Sequence, residues 1–191
     1  AMTDALVRVG RVDVADDADV RAVGVVVREL IELCRLHLAK EEQFVHPALE
    51  AAIPGASAHT SRDHDKHLRA FDRLEAGVRA LERTTGARAS AAAQRLYRDL
   101  ALFTADHFVH MHGEEVDNSA VLWATHDDEA LAAIERRIVA SLEPARMGMI
   151  LRWLAPAMTP AERGSFFANL RAKLPPSAYA VVMSDVIAQL D

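Results

Sequence analysis

The chain has 191 residues, a formal net charge of -6 and an apolar half, enough for one large domain or one domain with an appended subdomain. The charge is spread without the basic stripe that nucleic acid requires. Apolar runs such as 23–27 are far shorter than a membrane span, and no signal-peptide pattern opens the chain. Cys34 is the single cysteine, so no internal disulfide forms and a reducing cytoplasm is the expected setting. Few aromatics and abundant Ala, Leu, Val and Arg favour helix over strand.

In chain order, 2–9 reads as a short helix stopped by Gly10, and 13–19 as an acidic linker ending in N-cap residues. Over 20–52 the residues Val23, Val27, Leu30, Cys34, His37, Glu41 and Phe44 recur at steps of three and four, the spacing of one helix face. Pro47 is expected to kink or end that helix, and 53–57 is a turn rich in Pro and Gly. A second long helix spans 59–83, with His64, His67, Phe71, Leu74, Val78 and Leu81 inward. A third spans 90–116, with Leu96, Leu100, Phe103, His107, His110 and Glu114 inward.

After Trp123 the pattern changes. Shorter helices are predicted over 127–142 and 144–155. The next runs from Thr159-Pro160-Ala161-Glu162, a capping box with Pro at the first position, to Leu174; the last starts at Pro175-Pro176 and ends near Leu190. The expected fold is all-α: an up-and-down four-helix bundle over 1–124, followed by a C-terminal helical extension over 125–191.

All nine histidines fall between His37 and His126. The chemistry therefore belongs to the first two thirds of the chain. Two stretches share the form His-x-x-x-Glu-Glu: His37 with Glu41 and Glu42, and His110 with Glu114 and Glu115. Residues four apart on a helix lie one above the other, so each stretch aims an imidazole and a carboxylate in one direction. His64, His67 and His107 lie on the same inward stripes. A lone histidine there is an ordinary hydrogen-bonded core residue. Five imidazoles and two carboxylates on three buried stripes are costly unless paired or metal-bound. Such mixed donors suit iron, manganese or zinc, and facing helices in bundles build two-iron sites from them. His46, His59, His112 and His126 are expected to be structural or solvent-facing. Glu42 and Glu115 point about a quarter-turn away, toward salt bridges or contacts that support the ligands. Cys34, one turn before His37, reads as a packing residue.

The motifs His37-Leu-Ala-Lys-Glu41-Glu42-Gln-Phe-Val-His46-Pro47, Asp63-His64-Asp-Lys-His67 and His107-Phe-Val-His110-Met-His-Gly-Glu114-Glu115 resemble the hemerythrin-like family, the HHE cation-binding domain. The resemblance covers about residues 1–124. It implies a four-helix bundle with an oxo- or hydroxo-bridged two-iron centre. His37 and His110 would be terminal ligands, Glu41 and Glu114 bridges, and His64 the ligand of the central helix. His67 would be a second ligand or a supporting partner, and His107 is an extra candidate with no clear family counterpart. The chain departs from the family on the first helix, which usually carries another ligand histidine; none precedes Leu6. The alternatives are a residue upstream, an open position, or replacement by His67 or His107.

The expected function is a non-haem two-iron protein that binds, senses or turns over dioxygen, peroxide or nitric oxide, with zinc or manganese as other metals suited to the donors. As an enzyme it would be an oxidoreductase acting on a small oxidant. The other readings are a non-catalytic module responding to iron or oxygen, and a helical scaffold with a degenerate site. Neither nucleic acid nor membrane is an expected partner. The C-terminal helices, with Met147, Ile150, Leu151, Trp153 and Leu154 clustered, would pack on the bundle, shield the site or form a homodimer surface.

Overall fold

The apolar periodicity is realised as helices, and no strand occurs among the described residues. A computed structural model describes residues 1–187; the expected helix end near Leu190 lies outside the described residues. The elements are α1 (Met2–Gly10), α2 (Asp17–Lys40), α3 (His46–Ala52), α4 (Ala58–Glu82), α5 (Gly86–Gly113), α6 (Ser119–Thr125), α7 (Asp128–Ala140), α8 (Pro144–Ala157), α9 (Pro160–Lys173) and α10 (Pro176–Ile187). Two π-helical turns, Glu41–Val45 and Glu114–Asn118, join α2 to α3 and α5 to α6. No described helix is long and apolar enough to cross a membrane.

Pro47 does not end the helix begun by α2. It occupies the first turn of α3, where its missing N–H costs least, and the break in α-helical bonding is the π-turn ahead of it. The helix expected over 90–116 begins earlier, at Gly86, because the Ala-rich stretch behind it is a strong helix former. It runs on through the second π-turn to Thr125. Pro156 lies inside the last turn of α8.

The chain divides into two compact units, residues 1–138 and 139–191. In the first, α1 touches α2 and α5, α2 touches α4, and α4 touches α5. The four helices thus close a ring in chain order, with short loops that make neighbours antiparallel. Its core includes Val23, Val27, Leu30, Phe71, Leu74 and Leu100, all essentially inaccessible; each such side chain contributes about 1.5–3 kcal/mol by leaving water. Arg28 on α2 grips Glu82 on α4 through two bonds of 2.8 and 2.7 Å. Gly24 permits that approach, since a Cβ there would meet Glu82 Oε1 at 2.6 Å.

The turn from α3 into α4 is built around Glu50. Its carboxylate accepts from Gly55 N–H, Ser57 N–H and the Ser57 hydroxyl at 2.7, 2.9 and 2.6 Å. Gly55 supplies the left-handed φ of 89° that a side chain would resist. These bonds hold the Glu50 carboxyl down at about 2, the Ser57 hydroxyl being the largest cause. This turn sets where α4 starts, and so the height of His64.

In the second unit Leu151, Ala155, Phe167 and Val186 form a separate core, with Met147, Phe166 and Leu170 packed against it. The Thr159 capping box closes as expected: Glu162 N–H donates to Thr159 Oγ1, and Thr159 N–H donates to the Glu162 carboxylate.

Candidate metal centre

Both His-x-x-x-Glu-Glu stretches meet a π-turn at the same point. Glu41 opens the first turn and Glu114 the second. The His46 N–H returns to the Glu41 carbonyl, and the Ser119 N–H to the Glu114 carbonyl, each five residues back. The Ser119 hydroxyl donates to that same Glu114 carbonyl at 3.1 Å. A π-turn inserts one residue more than an α-turn allows and is frequent at functional sites.

The carboxylates these turns carry converge with the imidazoles. One ligand atom each from His37, Glu41, His110 and Glu114 lies within 4.8 Å of all the others. His37 Nε2 is 3.3 Å from Glu41 and 3.7 Å from Glu114. His110 Nε2 is 3.1 Å from Glu114, and His64 Nε2 is 3.4 Å from Glu41 and 3.7 Å from Glu114. Despite these approaches, none of the three Nε2 atoms, Glu41 Oε2 or either oxygen of Glu114 makes a hydrogen bond. Buried polar atoms are nearly always bonded, and each exception calls for an explanation such as a missing ion. Here six such atoms from five residues share one small volume. Imidazole nitrogens and carboxylate oxygens are the donors that first-row cations take, so the residues present fit a metal ion.

His67 and His107 lie one helical turn deeper. The His67 ring is 4.8 Å from His110 and 5.2 Å from His107, and His107 is 6.0 Å from His37, between ring centres. Each has a buried Nδ1 without a hydrogen bond. Phe103 packs edge-on against His67 at 5.5 Å and closes the layer from the apolar core. Cys34, one turn before His37, is buried, and burial pushes its thiol up to about 12.

The charges divide the imidazoles into two sets. Burial works to lower His64, but Glu114, Glu41 and Glu42 around it outweigh that and raise it to about 10. His37 is raised in the same way, with burial overcome by Glu114 and Glu41. Burial works to raise Glu114, yet His110, His37 and His64 hold it far below the usual carboxylate range. Burial, joined by neighbouring imidazoles, lowers His67 to about 4 and His107 to about 3. Those two rings are therefore neutral at pH 7, the form that binds metal.

Of the seven residues singled out by sequence, His37, Glu41, His64, His110 and Glu114 meet at one place, and His67 and His107 line its inner side. His59 and His112 are exposed. His46, read from sequence as structural or solvent-facing, is buried and stacked on His64, with ring centres 4.9 Å apart and planes at 17°. Glu42, expected to turn aside toward a salt bridge or a contact that supports a ligand, has its carboxylate 2.8 Å from His64 Nδ1. Only the register of α4 against the first π-turn decides these two contacts, and no spacing within one helix carries it.

α1 carries no histidine, and its first residues stand beside His37 and His107. A cavity of about 320 Å³ lies there, bounded by Ala1, Met2, Leu30, Cys34 and Phe108, and it opens on His37 and His107. A larger cavity, about 450 Å³, lies beside Tyr97 with no His, Asp or Glu in its lining.

The family model for the hemerythrin HHE cation binding domain matches residues 3–122. No curated protein matches the chain, and neither does any solved structure.

Proposed function

The chain belongs to the hemerythrin HHE cation-binding family, and from that premise we propose that residues 1–124 hold a non-haem two-iron centre for dioxygen, peroxide or nitric oxide, while 125–191 form a helical extension. The observation that carries this reading is the group of buried, unbonded nitrogens and oxygens on His37, Glu41, His64, His110 and Glu114. A pair of cations would satisfy all of them together; a set of ordinary core residues would satisfy none. When bound, such a centre supplies redox chemistry on a small oxidant at open coordination positions.

The remaining roles belong to the chain itself. Glu41 and Glu114, delivered by matching π-turns from different helices, would be the two carboxylates that hold the cations. His37 and His110 would be terminal ligands, and His64 the ligand of the central helix. His107 is our choice for a further ligand, because its ring is buried, neutral and one helical turn from His110. His67 is the alternative on the α4 side. The cavity, with Leu30, Leu33, Phe108 and Met111 in its walls, favours a small uncharged molecule over a hydrated ion. Phe71 and Phe103, in contact at 5.3 Å, keep water from the centre on the core side.

Metal analysis of the protein purified without added metal tests the reading. Two irons per chain with an oxo-bridge absorption band in the near ultraviolet are expected. Protein that carries no metal, and takes up none, with His37 and His110 intact overturns it.

A further inference from the structure

We propose that Glu42 is the positioning residue of His64: its carboxylate takes the Nδ1–H of the ring and so turns the Nε2 lone pair toward Glu41 and Glu114. The inference rests on the metal-centre reading above and deepens it by assigning which ring nitrogen is the ligand and what fixes it.

A neutral imidazole has one donor nitrogen and one acceptor nitrogen, and the bond made by one decides the other. His64 Nδ1 is 2.8 Å from Glu42 Oε1, within hydrogen-bond range. Its Nε2 is buried, unbonded and 3.4 Å from Glu41 Oε2. The first π-turn makes both contacts available from adjacent residues, since it sends Glu41 into the bundle and Glu42 sideways to α4.

His46 sharpens the assignment. Its Nδ1 is 3.5 Å from the same Glu42 oxygen, and its Nε2 is 3.3 Å from Thr60 Oγ1. The Thr60 hydroxyl already donates to the Ser57 carbonyl at 3.0 Å. Thr60 can therefore only accept from His46, which places the proton of a neutral His46 ring on Nε2 and leaves its Nδ1 bare. A bare nitrogen cannot donate to Glu42, so the Glu42 bond belongs to His64 alone. His46 serves as a flat plate that holds the His64 ring in orientation, as the 4.9 Å stacking shows.

The His110 imidazole lacks such an anchor. Asp63 Oδ2 lies 3.8 Å from His110 Nδ1, beyond hydrogen-bond reach, while Asp63 Oδ1 accepts from Lys66 at 2.6 Å. His64 and His110 are therefore unequally supported, and Asp63 provides the control for Glu42.

Zinc, being diamagnetic, is the probe, added to the full chain freed of metal. Glu42→Ala is expected to weaken zinc binding about 10- to 100-fold, the usual effect of removing a carboxylate behind a ligand histidine. Glu42→Gln, which keeps an acceptor oxygen, should recover most of that loss, and Asp63→Ala should bind nearly as wild type. In the zinc-loaded wild type, NMR should find the His64 proton on Nδ1, slow to exchange, and Glu42→Ala should lose that protection. Glu42→Ala that binds zinc as wild type does, or a wild-type His64 proton on Nε2, overturns the positioning role and leaves the metal centre standing. A wild type that takes up neither zinc nor iron removes both. The wild-type NMR result decides the proposal even where Glu42→Ala does not fold.

Discussion

Two halves of one bundle interior, built on the same three helices, behave as different materials. On α2 the inward stripe runs Val23, Val27, Leu30, Cys34 and then His37. On α4 it runs His64, His67 and then Phe71, Leu74, Val78; on α5, Leu96, Leu100, Phe103 and then His107, His110. The apolar half fills space and stabilises the fold whatever is bound. The polar half buries Glu114 and four imidazoles and half-buries Glu41 and His37, and desolvating such groups costs more than their mutual attraction returns unless the geometry is very good. The boundary is a wall of Phe71 and Phe103. Stability and ligand chemistry are thus segregated along the bundle axis, so the first can be damaged without touching the second.

The largest effects separate the halves directly. Leu74 is fully buried, and Leu74→Ala should cost about 2–5 kcal/mol. Stripping the ion from wild type should cost about 4 kcal/mol relative to protein held at a thousand times its Kd. Thermal unfolding of wild type and Leu74→Ala, each loaded and chelated, measures both. The variant should lower both curves and leave the gap between them unchanged. A gap that shrinks with Leu74→Ala would show that the halves are coupled through the Phe wall.

A smaller effect concerns the rim of the apolar half. Arg28 and Glu82 are partly exposed, so a double-mutant cycle should give a coupling of only about 0.2–1 kcal/mol, equal with and without metal. A coupling that changes on metal loading would extend the polar half's influence across the bundle.

The last effect is present at neutral pH and is lost in acid. Glu50 has its carboxyl held at about 2 against an ordinary 4.5. A lowered folded-state pKa gives stability that is present above the ordinary value and lost as pH falls through the folded one. Wild type should therefore exceed Glu50→Gln in stability above pH 4.5, and the difference should fade as pH approaches 2. A difference that persists unchanged to pH 2 assigns Glu50 a role that does not depend on its charge.

The helices, their order and the five converging donors were legible because periodicity within one helix dictates them: His37 and Glu41 share a face for the same reason that Val23 and Val27 do. That the break near Pro47 takes the form of a π-turn just ahead of it was not legible, because nothing in the residue pattern distinguishes an α-turn from a π-turn. That His46 is the structural kind, buried against His64, was not legible for another reason. A ring at the start of α3 looks peripheral until α4 is packed beside it, and the turn that places α4 is held by the carboxylate of Glu50, whose reach to Gly55 and Ser57 is a matter of tertiary geometry. The capping box at Thr159 lay at the other extreme, being wholly local.

The paired π-turns carry one more implication. A helix is a periodic lattice, and one added residue advances its phase by roughly 100°. Each π-turn is such a phase slip, confined to five residues. Ahead of it the lattice is in register with the bundle axis; beyond it, α3 and α6 follow a lattice of their own, so Leu49 is buried without having to share the phase of Val23. Because the slip occurs at the donor carboxylate in both copies, the oxygen atoms of Glu41 and Glu114 lie at a dislocation rather than within either lattice. Their direction is set by where the two phases meet.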